Sequence, residues 1–73
     1  MDFAGALALL RAGKRIAREV WDDGEWLILG TLSLGGTEVG ANIYLIKSSG
    51  EYDVWGVETP DILAKDWGEY LVN

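Results

Sequence analysis

Neither cysteine nor histidine occurs in the chain, and at 73 residues it is short enough for this absence to limit how it can fold. A domain of this size buries only about 60% of the surface that its unfolded chain exposes, so its stability is marginal. Without disulfides, or zinc sites built from thiolates and imidazoles, the remaining supports are a tightly packed core and assembly with further copies. We therefore expect one domain over residues 1–73 that assembles as a homo-oligomer.

The absence of cysteine and histidine also limits which catalytic mechanisms the chain could support. It excludes a cysteine nucleophile and every Ser-His-Asp triad. Carboxylates could supply the acid–base pair of a hydrolase, but nothing in their spacing selects two of them. The candidates are Asp22, Asp23, Glu25, Asp61 and Asp66. The glycines at 35, 36 and 40 are not followed by the Lys-Ser or Lys-Thr of a phosphate-binding loop. We expect no enzymatic activity, no metal and no cofactor.

Twelve acidic and six basic residues give the chain a formal net charge of −6. Such a chain repels nucleic-acid backbones and anionic membranes, so we expect no DNA, RNA or membrane partner. Four basic residues nevertheless fall within eight positions, and two of them, Lys14 and Arg15, could hold a small anion. The alternative is a solvated face balanced by carboxylates. The sequence contains no run of 18 apolar residues and no signal-peptide pattern, so the expected location is the cytoplasm.

Hydrophobic periodicity and turn signals predict an α+β domain, with a small antiparallel sheet, an N-terminal helix and a short C-terminal helix. Phe3, Ala6, Leu7 and Leu10 recur at helical spacing, and Gly13 suits the position just after a helix. The predicted helices span 2–12 and 59–66, the second ending at Asp66 or Trp67. The predicted strands span 15–21, 25–33, 43–47, 51–57 and 69–72, and 34–42 is expected to be a loop or loose hairpin.

The start of the C-terminal helix carries a clear signal. Thr59 is predicted as its N-cap, with Pro60 in the first helical position and Asp61 complementing the helix dipole. Gly68 is predicted to end it.

Two of the predicted strands carry unusual features. Arg18 lies between Ile16 and Val20 on one apolar face, so it must reach solvent, pair with a carboxylate or meet a ligand. The run 26–29 is continuously apolar, which indicates that both faces of that strand are covered. One helix can cover only one face of so small a sheet, and a partner subunit is the natural cover for the other.

Four tryptophans are many for a core of this size. Tryptophan packs cores and subunit interfaces, but it also stacks on bases. The tryptophans stand at 21, 26, 55 and 67, and Tyr44 and Tyr52 add to the aromatic content. We assign Trp26 to packing, because it begins the apolar run. The others are candidates for a platform that stacks a base.

Three segments together resemble one known family, and they span essentially the whole chain. They are Phe3-x-x-Ala6-Leu7-x-x-Leu10-x-x-Gly13-Lys14-x-x-Ala17-Arg18-x-x-Trp21, then Ile43-Tyr44-Leu45-Ile46-Lys47 with the Gly50 turn and Val54-Trp55, and finally Asp61-x-Leu63-Ala64-x-Asp66-Trp67. This set resembles the small phage proteins known as Thoeris anti-defence sponges of the second type.

The resemblance implies a function. Such proteins bind a cyclic ADP-ribose isomer made by a bacterial TIR-domain defence protein and hold it uncleaved. They form homotetramers (dimers of dimers) with ligand pockets between subunits, and some hold cyclic oligonucleotides at separate sites. For this chain, the resemblance implies phage immune evasion by ligand sequestration in the cytoplasm of the infected bacterium.

The matched motifs indicate which residues contact the ligand. Trp21 is the first candidate for stacking, followed by Trp67 and Trp55, and Asp22 and Asp66 could accept hydrogen bonds from ribose hydroxyls. The alternatives for Arg18 are a phosphate contact and an ion pair with Asp61 or Asp66. Lys14 and Arg15 are the candidates for a second anion site.

A function of another class also fits the composition. The net charge of −6 suits an acidic protein that occupies the basic groove of a host defence nuclease, as anti-CRISPR-like inhibitors do. The acids here are scattered among apolar segments, whereas mimicry of nucleic acid favours acids lined along one exposed element. Strongly salt-dependent binding to a host protein would favour this alternative.

Overall fold

A five-stranded antiparallel sheet with two helices makes up the fold. The computed structural model describes residues 1–71, apart from the side chains at 32, 33, 38 and 39. The elements are α1 (Phe3–Arg11), β1 (Ile16–Arg18), β2 (Trp26–Leu34), β3 (Thr37–Ile46), β4 (Tyr52–Val54), α2 (Thr59–Leu63) and β5 (Trp67–Glu69). The strand order is β4-β3-β2-β1-β5. The predicted α+β architecture is confirmed.

The N-terminal helix follows from its sequence spacing. The Asp2 carboxylate accepts a hydrogen bond from the backbone N–H of Gly5 at 3.0 Å and caps the first turn of α1. Ala6 and Leu10 are fully buried against the sheet. Gly13 has a φ of 83°, which most side chains disfavour, and it turns the chain toward β1. The helix predicted at 2–12 is therefore confirmed to within one residue at each end.

One face of the sheet holds the core. Leu10 of α1 packs there with Ile16 of β1 and Leu27 of β2, and Trp55 and Trp67 complete the buried cluster. Ile16 lies opposite Leu27 across the β1–β2 pair, so both strands direct an aliphatic side chain at α1. These contacts leave few aliphatic side chains fully buried, and the two indoles supply much of the core volume.

The opposite face of the sheet carries a second apolar surface. Trp26, Ile28 and Tyr44 share this face, because Ile28 pairs with Tyr44 and Trp26 lies two residues before Ile28. Tyr52 and Val54 of β4 extend it and are 68% and 60% exposed. We call this surface the open face. In the described part of the chain, α1 packs on the other side, so the predicted double cover of the 26–29 run is not provided within one subunit.

The glycine-rich segment, predicted as a loop or loose hairpin, is a hairpin. Residues 37–42 are not a loop but the first part of β3, which pairs with β2 up to the Gly35-Gly36 turn. Both turn glycines have positive φ, 58° and 83°, as a tight hairpin requires. Gly40 lies inside the strand, near an irregularity in the register beside Leu32. The hairpin is therefore much longer than the predicted strand at 43–47 indicates.

The C-terminal part also needs correction. Glu58, not Thr59, is the N-cap of α2, and its side chain makes no capping hydrogen bond. The helix ends at Leu63, so Gly68 does not terminate it and lies instead in β5. β5 is the predicted edge strand, but it covers Trp67–Glu69 because it pairs with all of β1. Val72, the end of the predicted strand, lies outside the described residues.

The strands flanking the hairpin are also shorter than predicted. β1 ends at Arg18, so Val20 lies beyond the strand and is exposed. β4 covers only Tyr52–Val54 of the predicted 51–57. Both short strands are followed by segments that lead to a tryptophan, Trp21 in one case and Trp55 in the other.

Candidate functional site

Two predicted ligand residues, Trp21 and Trp55, line one cavity. It has a volume of about 300 Å³ and lies beside the segment after β1 and the segment after β4. The full lining is Trp21, Glu25, Leu45, Trp55, Gly56, Glu58 and Asp61. We call this cavity the tryptophan cleft. Its walls combine two indoles with three carboxylates, a combination that can stack on a planar ring and accept hydrogen bonds from its substituents.

Both tryptophans are held by backbone and ring contacts. The Trp21 N–H donates to the carbonyl of Arg18 at 3.1 Å, and the Trp55 N–H donates to the carbonyl of Ile43 at 2.8 Å. The rings of Trp21 and Trp55 each meet Trp67 edge-on, at centroid distances of 5.3 and 6.0 Å. Trp67 is thus the common support of the cleft walls, and such edge-to-face pairs favour one orientation of each ring.

Arg18 is engaged by two carboxylates. Its Nη1 lies 3.0 Å from Asp61 Oδ1, and its Nε lies 2.9 Å from Asp66 Oδ1. All three side chains are largely shielded from solvent. The hydrogen bonds that Arg18 donates to Asp66 and Asp61 raise the pKa of its guanidinium. Of the two predicted alternatives for Arg18, the geometry shows the ion pair, and with both candidate partners at once.

The Asp66 carboxylate accepts two hydrogen bonds. Besides Arg18, the backbone N–H of Val20 donates to its Oδ2 at 3.4 Å. The hydrogen bond from Arg18 is the main cause that holds the pKa of Asp66 below its usual value. This cluster of Arg18, Asp61 and Asp66, which we call the arginine clamp, joins β1 to α2 and to the residue preceding β5.

The lowered pKa of Asp66 predicts a pH dependence of stability. Because the carboxylate is favoured in the native state, its contribution is fully present above the unfolded pKa and is lost as the pH falls through the lower native pKa. Asp66→Asn should lower the melting temperature at pH 7 and flatten its decline between pH 5 and pH 2. Thermal unfolding followed by circular dichroism checks this. Asp23→Asn, at an exposed aspartate, is the matched control and should parallel the wild type. If the melting temperature of Asp66→Asn declined with falling pH in the same way as that of Asp23→Asn and the wild type, the prediction would be wrong.

The other predicted ligand residues lie elsewhere. Trp67 is only 3% exposed, and its Nε1–H donates to the carbonyl of Asp61 at 2.9 Å. Asp22 is exposed, and its backbone N–H donates to the carboxylate of Glu25. Arg18, Asp66 and Trp67 line a separate depression of about 340 Å³ along β1 and β5. Ligand contact by Asp22, Asp66 and Trp67 stays a prediction. Stacking by Trp21 and Trp55 stays a prediction as well: both line the cleft, but Trp55 is only 8% exposed, and the half-buried Trp21 is the more accessible of the two.

The predicted second anion site also corresponds to a cavity. Lys14 and Arg15 line a depression of about 250 Å³ together with Tyr70. The Arg15 guanidinium lies 4.6 Å from the ring centre of Trp26, and Trp26 stacks on Tyr70 with centroids 6.1 Å apart. Trp26 therefore packs, as expected, but on the open face and not in the core. Anion binding at this place stays a prediction.

Sequence reasoning missed several cleft residues. Glu25 and Glu58 were not assigned to a ligand site, although Glu25 follows a turn next to Trp21 and Glu58 stands three residues after Trp55. That proximity in sequence was the available signal. Among the side chains that the structure describes, no three acidic groups are placed together so that they could hold a metal ion.

Comparison with known proteins addresses the identity of the chain. None of the described helices is long and apolar enough to cross a membrane. No curated protein matches the sequence. The sequence model of the Thoeris anti-defense 2-like domain matches residues 1–70, which is nearly the whole chain and includes every residue of the cleft and the arginine clamp. The chain therefore belongs to the Thoeris anti-defense 2-like family.

Proposed function

We propose that this anti-defence protein binds a cyclic ADP-ribose isomer, the signal of a TIR-domain defence protein, and holds it without cleavage. Membership of the family supports a role against Thoeris defence. The observation that carries the ligand assignment is the tryptophan cleft, where Trp21 and Trp55 line a cavity large enough for a base and its ribose. We place the protein in the cytoplasm of the infected bacterium, where the signal is made.

The chemistry of the cleft suits recognition. Indole rings stack on adenine, and the carboxylates of Glu25, Glu58 and Asp61 accept hydrogen bonds from ribose hydroxyls and the adenine amino group. The arginine clamp and the edge-to-face contacts with Trp67 hold these groups in place before a ligand arrives. Preorganisation matters because sequestering a signal at nanomolar concentration requires a binding free energy of about −12 kcal/mol.

We infer that the ligand is held and not cleaved. The whole sequence lacks histidine and cysteine, and the lining of the cleft contains no lysine or tyrosine in the described part of the chain, so its candidates for general acid–base chemistry are carboxylates. Asp61 and Asp66 are occupied by Arg18, and the pKa of Asp66 is lowered, the opposite of what a general acid needs near neutral pH.

We also propose that the open face is the interface of a homo-oligomer, most simply the tetramer that the family resemblance implies. Trp26, Ile28 and Tyr44 with the exposed Tyr52 and Val54 form a contiguous aromatic and aliphatic surface. Surfaces of this kind on small domains mark interfaces. Cyclic oligonucleotides, held at Lys14 and Arg15, are the second ligand class in this proposal.

A capture-and-release experiment tests the proposed function. Purified protein is mixed with the TIR-generated cyclic ADP-ribose isomer, free ligand is removed by filtration, and the retained protein is heat-denatured. Liquid chromatography with mass spectrometry should find intact ligand only after heating. Ligand that passes through the filter unchanged would overturn the assignment, and a ring-opened product, heavier than the cyclic ligand by one water, would show an enzyme. Strongly salt-dependent binding to a host nuclease, with no ligand retained, would favour the acidic inhibitor instead.

A further inference from the structure

The charge of the tryptophan cleft does not match the charge of the proposed ligand. No lysine or arginine belongs to its lining in the described part of the chain, whereas Glu25, Glu58 and Asp61 do. A cyclic ADP-ribose isomer contains a pyrophosphate with two negative charges. The base and the phosphates of one ligand therefore cannot occupy this cleft equally well, because like charges at short range repel.

The nearest cation does not remove this mismatch. Arg18 contacts Asp61, but it contacts Asp66 as well, so one guanidinium is shared between two carboxylates. Lys47 forms its own ion pair with Asp53, with Nζ 2.8 Å from Oδ2. This hydrogen bond is the main cause that raises the pKa of Lys47, and the charge of Glu25 adds to it. Both nearby positive charges are thus matched by carboxylates before any phosphate arrives.

Two of the other basic groups, Lys14 and Arg15, lie away from the cleft. Lys14 and Arg15 line the depression that includes Ile28, on the open-face side of the sheet, whereas the cleft includes Leu45 and Trp55 on the core side. A ligand seated between Trp21 and Trp55 cannot reach them within the same subunit, since the sheet separates the two cavities.

We propose that Glu25 and Glu58 determine which end of the nucleotide enters the tryptophan cleft, admitting the neutral base and ribose and excluding phosphate. This inference rests on the proposed function and specifies the orientation of its ligand. Glu58 is exposed at the rim and Glu25 is half-buried, so both act through charge and hydrogen bonding and not through core packing. The pyrophosphate then lies outside the cleft, facing solvent or a neighbouring subunit.

A matched pair of small probes tests this orientation. Adenosine and AMP share base and ribose and differ by one phosphate. Titration of ¹⁵N-labelled protein with each probe, followed through the indole N–H signals of Trp21 and Trp55, should show adenosine binding about tenfold tighter than AMP at low salt. In the double variant Glu25→Gln with Glu58→Gln, the preference should fall to about twofold or less. Glu51→Gln removes the same charge outside the cleft lining and should leave the preference unchanged.

The possible outcomes separate this inference from the proposed function. AMP binding as tightly as adenosine, or a preference that survives in the double variant, would overturn the inference even if the cyclic ligand is captured. Absence of any shift at Trp21 and Trp55 with adenosine would overturn it as well. If adenosine is preferred in a Glu25- and Glu58-dependent manner while the cyclic ligand is not retained, the cleft selects nucleosides and only the ADP-ribose assignment fails. Glu58→Gln alone, at the exposed rim, repeats the test with the least disturbance of folding.

Discussion

Trp67→Ala should remove about 3–5 kcal/mol from the free energy of unfolding, a large part of the stability of so small a protein. The indole is almost fully buried and contacts the rings of Phe3, Trp21 and Trp55 at centroid distances between 5.3 and 6.0 Å. Truncating a buried tryptophan to alanine costs about 3–5 kcal/mol, and this change also removes the hydrogen bond to the Asp61 carbonyl. Proteins have a free energy of unfolding of about 0.05–0.15 kcal/mol per residue, which gives about 4–11 kcal/mol for a chain of this length.

Urea unfolding followed by far-ultraviolet circular dichroism measures the effect, since this signal comes mainly from the backbone and each variant is compared with its own folded and unfolded baselines. Trp67→Phe keeps a ring but not the N–H donor and should lose about 1–2 kcal/mol. Trp26→Ala makes the same truncation on the open face and should lose about 1–2 kcal/mol of subunit stability. Equal losses at 67 and 26 would show that Trp67 is not the centre of the core.

Local patterns predicted the parts of the fold that depend on neighbouring residues. The spacing of Phe3, Ala6 and Leu10 was enough for α1, because a helix closes its hydrogen bonds within a few residues. The position of Arg18 on an apolar face predicted that it reaches solvent, pairs with a carboxylate or meets a ligand, and the structure shows the carboxylate pairing. Which carboxylate it was remained open, and the answer was both Asp61 and Asp66.

Features that depend on distant residues could not be predicted in the same way. Residues 37–42 are rich in glycine and favour a loop on local grounds, but the partner strand β2 supplies the hydrogen bonds that make them β3. Trp67 looked like the end of a helix until its pairing with Arg18 across β1 and β5 placed it in a strand. In both cases the strand forms because of a contact with residues that are distant in the sequence.

The division of the tryptophans among core, cleft and open face has the same origin. Nothing in the flanking residues tells Trp67 from Trp21, since each follows an aspartate or valine near a strand end. Their roles become distinct only in the folded sheet. Trp67 packs in the core, Trp21 contacts the Trp67 ring edge-on at the cleft, and Trp26 stacks on Tyr70 at the open face. The sequence offered one signal, the number of tryptophans: four are too many for one small core.

Trp21→Ala should weaken capture of the cyclic ADP-ribose isomer by about 5- to 150-fold while the oligomer stays intact. Trp21 lines the cleft and is half-buried, and the described open face does not include it. Removing one base–aromatic stack costs about 1–3 kcal/mol, which corresponds to a loss of affinity of about 5- to 150-fold. At the concentrations where a sponge must work, a loss at the upper end of that range leaves the signal free.

Calorimetric titration gives the affinity, and size-exclusion chromatography with light scattering gives the oligomeric state of the same sample. Trp21→Phe keeps an aromatic face over the cleft and should retain most of the affinity, which separates stacking from simple loss of volume. Trp26→Ala is the converse control: it should weaken the oligomer through the open face while an intact cleft remains in each folded subunit. Loss of the oligomer together with binding in Trp21→Ala would show that Trp21 is a structural residue, and Trp55 would then be the remaining candidate for the platform.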